Sequence, residues 1–308
     1  MGKMNFRKVL SHYEVGSYET HEHVPHAVIN TIYIVKTSKG KNVIKVFASA
    51  NARFIKFQTR IIDYLDRQGV PIQRFLRTKK NDLILKCGKK NCVLYEYVDG
   101  GINFRYSHKL IEHVAEEVGV LHRNLLKMKF KGGDKWGTNH QFKGKRDYLE
   151  MVEGFPVKEE YHNLVKELKD NVNKNALRRS IIHSDLSLSN MLFRNNKLVA
   201  FIDWDDSHWD YLIYDIAILI AYFIEHGIDI KHFFKSYQKQ IKINEEEKKA
   251  LYYFIKTRWL SGLNHMGKQR MIHKERAKLI GNAMGWLIKR YREYEKTTLM
   301  EFLEYYLN

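Results

Sequence analysis

The sequence predicts an α+β fold in two lobes, a small antiparallel β-sheet lobe over residues 1–97 and a larger, mainly helical lobe over residues 98–308. Three observations carry this expectation. Strand-like apolar runs dominate the first hundred residues, helical periodicity dominates the remainder, and Asp99-Gly100-Gly101 interrupts the pattern between them. A chain of 308 residues is long enough for two cores of ordinary size.

In the first lobe, Ile32-Tyr33-Ile34-Val35 runs to a turn at Ser38-Lys39-Gly40, and Val43-Ile44-Lys45-Val46-Phe47 returns, which reads as a hairpin. Phe54, Phe57, Ile61, Ile62 and Leu65 recur at helical spacing, and Gly69 ahead of Pro71 ends that helix. Strands resume at 83–85 and 92–98. In the second lobe, Leu110, Ile111, Val114, Val118 and Leu121 form an apolar helix stripe. Residues 127–145 are a Lys/Gly-rich loop, read as a solvated insertion or a phosphate-contacting loop. Residues 211–226 are apolar nearly all round, as in a helix buried on every side. Residues 246–306 read as amphipathic helices with Leu251, Phe254, Ile255 and Trp259 on one face.

Composition narrows the class. An apolar fraction of 44% suits a folded chain, and the longest apolar run, 216–224, is too short for a bilayer. Lys and Arg number 53 against 35 Asp and Glu, a net charge of +18 that attracts anionic small molecules or polyanions. The lysines are spread along the whole chain, however, as they are on an ordinary lysine-rich surface. Helical periodicity in the basic, aromatic last 60 positions predicts a packed helix pair there rather than a nucleic-acid surface. The opening residues lack the apolar core of a secretory signal, and Phe6 stands where a myristoylation signal needs Ser or Thr. The two cysteines, Cys87 and Cys92, read as free thiols in a reducing compartment, although a hairpin could join them. A cytoplasmic protein is expected.

The chemistry is concentrated between residues 181 and 205. A strand ends at Ile182, His183-Ser184-Asp185 and Ser189-Asn190 follow in a loop, and Asn195-Asn196 marks a hairpin turn. The strand returning through Ile202 then places Asp203 beside Asn190. Phosphoryl transfer from a nucleotide needs such a set, in which one carboxylate orients or deprotonates the attacking hydroxyl. An amide and a second carboxylate supply hard oxygen ligands to Mg²⁺. Asp185 has the first role and Asn190 and Asp203 the second. The spacing His-x-Asp-Leu-x-x-x-Asn is that of the protein-kinase catalytic loop. Such an enzyme needs a strand lysine for the phosphates, and Lys45 supplies it. The Glu96 carbonyl and Val98 amide are the candidate adenine contacts.

These motifs resemble the aminoglycoside phosphotransferase and choline kinase superfamily, whose loop reads His-Gly-Asp-x-x-x-x-Asn and whose metal motif reads Ile-Asp-Trp/Phe. A type II homoserine kinase character is carried by Asn30-Thr31-Ile32-Tyr33, Gln68-Gly69-Val70-Pro71, 211–217 and Thr257-Arg258-Trp259-Leu260. The resemblance runs from about residue 10 to 265. It implies a protein-kinase-like two-lobe fold, ATP, Mg²⁺ and phosphorylation of a small-molecule alcohol. It also implies that Asp185 is the base, that Asn190 and Asp203 bind metal, that Lys45 holds phosphates, that His183 braces the loop and that Asp215 is structural.

Three positions depart from that pattern. His26-Ala27 stands where the family has Gly-Gly, Gln58 where it has the glutamate that pairs with the lysine, and Ser184 where it has glycine. The first two favour a catalytically weak binding protein on the same scaffold, whereas the intact Lys45, Asp185, Asn190 and Asp203 oppose it. A protein kinase would need an Ala-Pro-Glu segment after Asp203, and no proline lies there. Aminoglycosides, which with choline-type acceptors are the alternative, are polycations that a basic protein repels unless its site is locally acidic. Asp205, Asp206 and Asp210 could form such a cluster, gripping a substrate ammonium or only solvating a loop. An amino-acid-like or sugar-like alcohol is therefore the expected acceptor.

Overall fold

A computed structural model describes residues 4–25, 30–48, 52–102, 106–129, 147–272, 274 and 277–307. The predicted loop at 127–145 and the His26-Ala27 departure fall almost wholly outside these residues. The chain divides into two compact units, Met1–Asn103 with Ser189–Asp205, and Phe104–Leu188 with Asp206–Asn308.

The first unit is built on an antiparallel sheet. Its strands are β1 (Tyr18–His23), β2 (Thr31–Thr37), β3 (Gly40–Val46), β4 (Phe75–Leu76), β5 (Leu85–Cys87) and β6 (Lys90–Glu96). The order is β1-β2-β3-β6-β4, with β5 also on β6. The predicted hairpin is β2–β3, closed where Thr37 pairs with Gly40, whose φ is +123°. Strand alternation sends Val35, Ile44 and Leu94 into the core, where they are fully buried with Leu10 of α1 (Phe6–Leu10). The predicted helix is α2 (Ala52–Arg67).

This unit also takes the hairpin β8 (Met191–Arg194) and β9 (Lys197–Phe201), which turns at Asn195 and Asn196 with φ of 52° and 60°. Two successive left-handed residues are what a type I′ hairpin requires, and Asn tolerates them best after Gly. Gly101 exchanges backbone hydrogen bonds with Phe193 at 2.8 and 2.9 Å. Gly100 must be glycine there, because a Cβ would meet Val199 at 2.8 Å.

Cys87 and Cys92 are bonded to each other, which corrects the free-thiol reading. In the β5–β6 register Cys87 faces Lys90 and Cys92 faces Leu85, so the two side chains are diagonal neighbours on one face. Their Cα atoms are 6.0 Å apart, inside the range a disulfide spans. Hairpin geometry outweighs the statistics of cysteine usage, and the cytoplasmic expectation loses the support it drew from thiols.

The second unit is mainly helical, with α3 (His108–Leu125), α4 (Val157–Asn171), α5 (Leu212–Glu225), α6 (Lys231–Gln240), α7 (Glu245–Ile272), α8 (Ala277–Glu295) and α9 (Leu299–Leu307). It also holds a short antiparallel pair, β7 (Arg179–Ile182) with β10 (His208–Tyr211). The apolar stretch predicted to be buried all round is α5, in which every residue from Leu212 to Ala221 is buried. Each fully buried Ile or Leu there stabilises the fold by about 1.5–3 kcal/mol. Helix α5 packs on α7 and β7, and α3 packs on α6. Leu251, Phe254, Ile255 and Trp259 of α7 are buried as their spacing predicts. Among the described residues no helix is long and apolar enough to cross a membrane.

Candidate active site

In the first unit the β8–β9 hairpin fixes two of the predicted residues. Its register pairs Met191 with Phe201, and the Ile202 N–H donates to the Asn190 carbonyl at 3.0 Å, so Asp203 emerges directly after the residue bonded to Asn190. Asp203 has φ of +61°, a left-handed conformation that turns the chain at the strand's end.

Lys45 on β3 lies between Ile44, which is fully buried, and Val46, and only 5% of it is exposed. Its ammonium donates to Asp203 Oδ1 at 2.9 Å and lies 2.6 Å from Asp205 Oδ2. Burial works against the charge on this lysine, but the carboxylates of Asp203 and then Asp205 overcome that penalty and raise its pKa above the ordinary value. Burial, followed by the charge of Asp203, lifts the Asp205 carboxyl above the usual range despite the lysine beside it. Two carboxylates around one ammonium leave net negative charge for a further cation. The oxygen donors Asp203 and Asn190 are the hard ligands that Mg²⁺ prefers, so this set fits such an ion.

Gln58, at the position of the family's lysine-pairing glutamate, turns its amide to Asp205 rather than to Lys45. Its Nε2 donates to the Trp204 carbonyl at 3.2 Å and to Asp205 Oδ1 at 3.1 Å. Asn30 Nδ2 donates to the other oxygen of Asp205 at 2.5 Å, while its Oδ1 accepts from the Ala48 N–H at 3.0 Å. Asp205 thus supplies the negative charge that the missing helix glutamate would have supplied, and two neutral amides hold it. Its position two residues after Asp203 was the one signal available in the sequence.

Glu96 ends β6. Its carboxylate pairs with Arg74 at 2.7 Å, and its carbonyl accepts from Gln73 Nε2 at 3.0 Å. A carbonyl has two lone pairs, so one acceptor site remains. Val98 follows two residues later and is half-buried.

In the second unit the loop after β7 carries His183, Ser184 and Asp185. Asp215, fully buried in the first turn of α5, accepts from the His183 N–H and the Ser184 N–H, each at 2.7 Å. Burial pushes its carboxyl up. The His122 imidazole, with Nε2 3.5 Å away, and the His183 backbone N–H carry it below the ordinary value. His122 is anchored in turn by Tyr237 at 2.9 Å. Ser184 has φ of +66°, so the family's glycine position does have the left-handed backbone that favours glycine. The Asp185 N–H lies 3.4 Å from His183 Nδ1, and its Oδ1 accepts from Arg258 Nη2 of α7 at 3.3 Å.

Arg258 lies in the Thr257–Leu260 segment that carries the family resemblance, and α7 gives no local sign in its sequence that it reaches Asp185. On the same helix Trp259 donates to Glu225 at 2.6 Å. Burial raises the Glu225 carboxyl, against the Trp259 hydrogen bond and the charges of Arg258 and Arg290. The expected cluster of Asp205, Asp206 and Asp210 does not form as an acidic grip. Asp205 is committed to Lys45, while Asp210 is buried against His208 at 3.4 Å and the Tyr211 N–H at 2.8 Å.

Comparison with known proteins gives the family and the fold. The profile of the phosphotransferase enzyme family matches residues 20–241. The hydroxylysine kinase of Danio rerio is 22% identical over 262 residues, covering 75% of this chain and 74% of its own length. The homoserine kinase of Brucella ovis is 23% identical over 220 residues, covering 68% of this chain and 65% of its own. Among solved structures, the amicoumacin kinase hAmiN in complex with AMP-PNP, Ca²⁺ and Ami superposes with a TM-score of 0.70. The identity is 16%, with 96% of this chain and 97% of that one covered, a likeness of fold.

Proposed function

The chain belongs to the phosphotransferase enzyme family, and we propose that it is an ATP- and Mg²⁺-dependent kinase that phosphorylates the hydroxyl of an amino-acid-like alcohol. The observation that carries this reading is the Lys45 ammonium on Asp203 at 2.9 Å, directly after the hairpin bond to Asn190. A lysine so held is positioned to pass from carboxylate to phosphate oxygens, and the carboxylate it leaves is available to a metal. Asn190 and Asp203 would hold Mg²⁺, which neutralises charge developing on the phosphates. Asp185 would accept the proton of the acceptor hydroxyl, and that hydroxyl's oxygen would attack the γ-phosphorus as the bond from phosphorus to the ADP oxygen breaks. The Glu96 carbonyl and Val98 N–H would take the adenine edge.

Two side chains of the second unit favour an amino-acid-like acceptor. Arg258, already 3.3 Å from Asp185, suits a carboxylate, and Glu225, within the field of Arg258, suits an ammonium. A cation on the base and an anion within that cation's field match a zwitterion better than a polycation. The kinases of hydroxylysine and homoserine among the relatives point to the same class. Dependence on ATP supports a cytoplasmic location.

The test is ADP release from Mg·ATP across a panel of homoserine, hydroxylysine, simple amino alcohols, choline, sugars and an aminoglycoside, repeated with Asp185→Ala. Turnover with an amino-acid alcohol that falls at least ~10²-fold in the variant supports the reading, that being the scale of a lost general base. Turnover confined to choline or the aminoglycoside overturns the acceptor class. No turnover with any acceptor, alongside intact nucleotide binding, favours a binding protein on this scaffold.

A further inference from the structure

Away from the residues of phosphoryl transfer, the second unit brings two imidazoles and two carboxylates together where α3 meets α6. His108 opens α3, and Glu112, four residues on, lies on the same helix face. His232 is the second residue of α6, and Asp229 precedes that helix. The His108 and His232 rings stack with centroids 4.2 Å apart and an interplanar angle of 23°. One donor atom from each of His108, Asp229 and His232 lies within 4.8 Å of the others. None of these residues takes part in the kinase reading, and the inference does not depend on it.

We propose that His108, Asp229 and His232 bind a borderline divalent transition metal of the Zn²⁺ type, with Glu112 orienting His232. His232 Nδ1 is 3.0 Å from Glu112 Oε1, so Nδ1–H donates to the carboxylate and Nε2 is left with the lone pair a metal needs. A carboxylate behind a ligating imidazole is the usual outer support of a metal histidine. Asp229 uses Oδ1 to accept from the Lys231 N–H at 3.0 Å, which fixes the carboxylate and leaves its other oxygen for the ion. Two nitrogens and one oxygen make a three-ligand set, completed by solvent in the fourth position. Tetrahedral Zn²⁺ wants donors about 3.3–3.5 Å apart, a contraction that exposed side chains accommodate by small rotations. Imidazole selects such metals over Mg²⁺, so the site is distinct from Asn190 and Asp203 in chemistry as well as in place. Two carboxylates facing a dication also form a local negative spot on a chain of net charge +18. A bound ion would tie the start of α3 to the start of α6.

The experiment is titration of the metal-stripped full-length protein with Zn²⁺ against a chromophoric chelator, in excess Mg²⁺. The expected result is one Zn²⁺ per chain, abolished by His108→Ala and by His232→Ala and weakened roughly 10–100-fold by Glu112→Gln. A second measurement needs no variant to fold. Co²⁺ added to the wild-type protein should broaden two histidine ring resonances at one equivalent. Absence of Zn²⁺ binding, binding unchanged in both histidine variants, or Co²⁺ that leaves all histidine resonances sharp would overturn the proposal.

Discussion

Asp205 lies 2.6 Å from Lys45 and supplies the charge that the family resemblance assigned to a helix position, while Gln58, at that position, binds Asp205 instead. The acid that pairs with the lysine lies just beyond β9, and the amide on α2 supports it.

Restoring the family residue should therefore harm this protein. Gln58→Glu would set a carboxylate about 3.1 Å from Asp205 in a buried place, adding like charge and removing a donor. Thermal unfolding should show a loss of about 1–3 kcal/mol, with Gln58→Met losing less. A gain in stability for Gln58→Glu would mean that the lysine recruits the new acid and that Asp205 is dispensable.

Ser184 offers the opposite case. Its φ of +66° costs a serine roughly 1 kcal/mol that glycine does not pay. Ser184→Gly should raise the melting temperature, and the two N–H bonds to Asp215 should persist. Ser184→Ala should bring no such gain.

Asp215 predicts an acid limb in stability. Its folded pKa is depressed, so its contribution is complete above the unfolded value of about 4 and is lost as pH falls through the folded value. Asp215→Asn keeps one acceptor and loses the charge, and should cost about 2–3 kcal/mol at pH 7. Denaturant titrations should converge for the two proteins as pH drops below about 4. A constant gap down to pH 2 would contradict this assignment.

The disulfide is directly countable. Thiol titration of unfolded protein should find none before reduction and two after. Closing so short a loop is worth about 2 kcal/mol on the chain-entropy account, and Cys87→Ser should lose about that much. Two titratable thiols without reductant would restore the free-cysteine reading.

What the sequence made legible was local. The hairpins at 31–46 and 191–201, helix α2 and the buried α5 follow from alternation, turn residues and periodicity acting over a few positions. Asn190 and Asp203 could be placed together because one hairpin joins them. Strand β1 escaped because Thr20, His21, Glu22 and His23 are exposed and carry no apolar alternation. Strand β10 escaped because His208-Trp209-Asp210-Tyr211 pairs with β7 through backbone bonds that composition does not mark. The partners of Gln58, Asp205 and Arg258 were equally hidden, since each choice is made across tens of residues of chain by packing. The Cys87–Cys92 bond depended on strand ends that the sequence put at 83–85 and 92–98, whereas the strands run Leu85–Cys87 and Lys90–Glu96.

The most direct test of the account is the Mg²⁺ dependence of ADP release by wild-type protein and Asp203→Asn at saturating ATP and acceptor. The account predicts that turnover in the variant falls by at least ~10²-fold and requires more Mg²⁺, because a metal ligand and the lysine's partner are lost together. Turnover in Asp203→Asn equal to wild type at every Mg²⁺ concentration would contradict it.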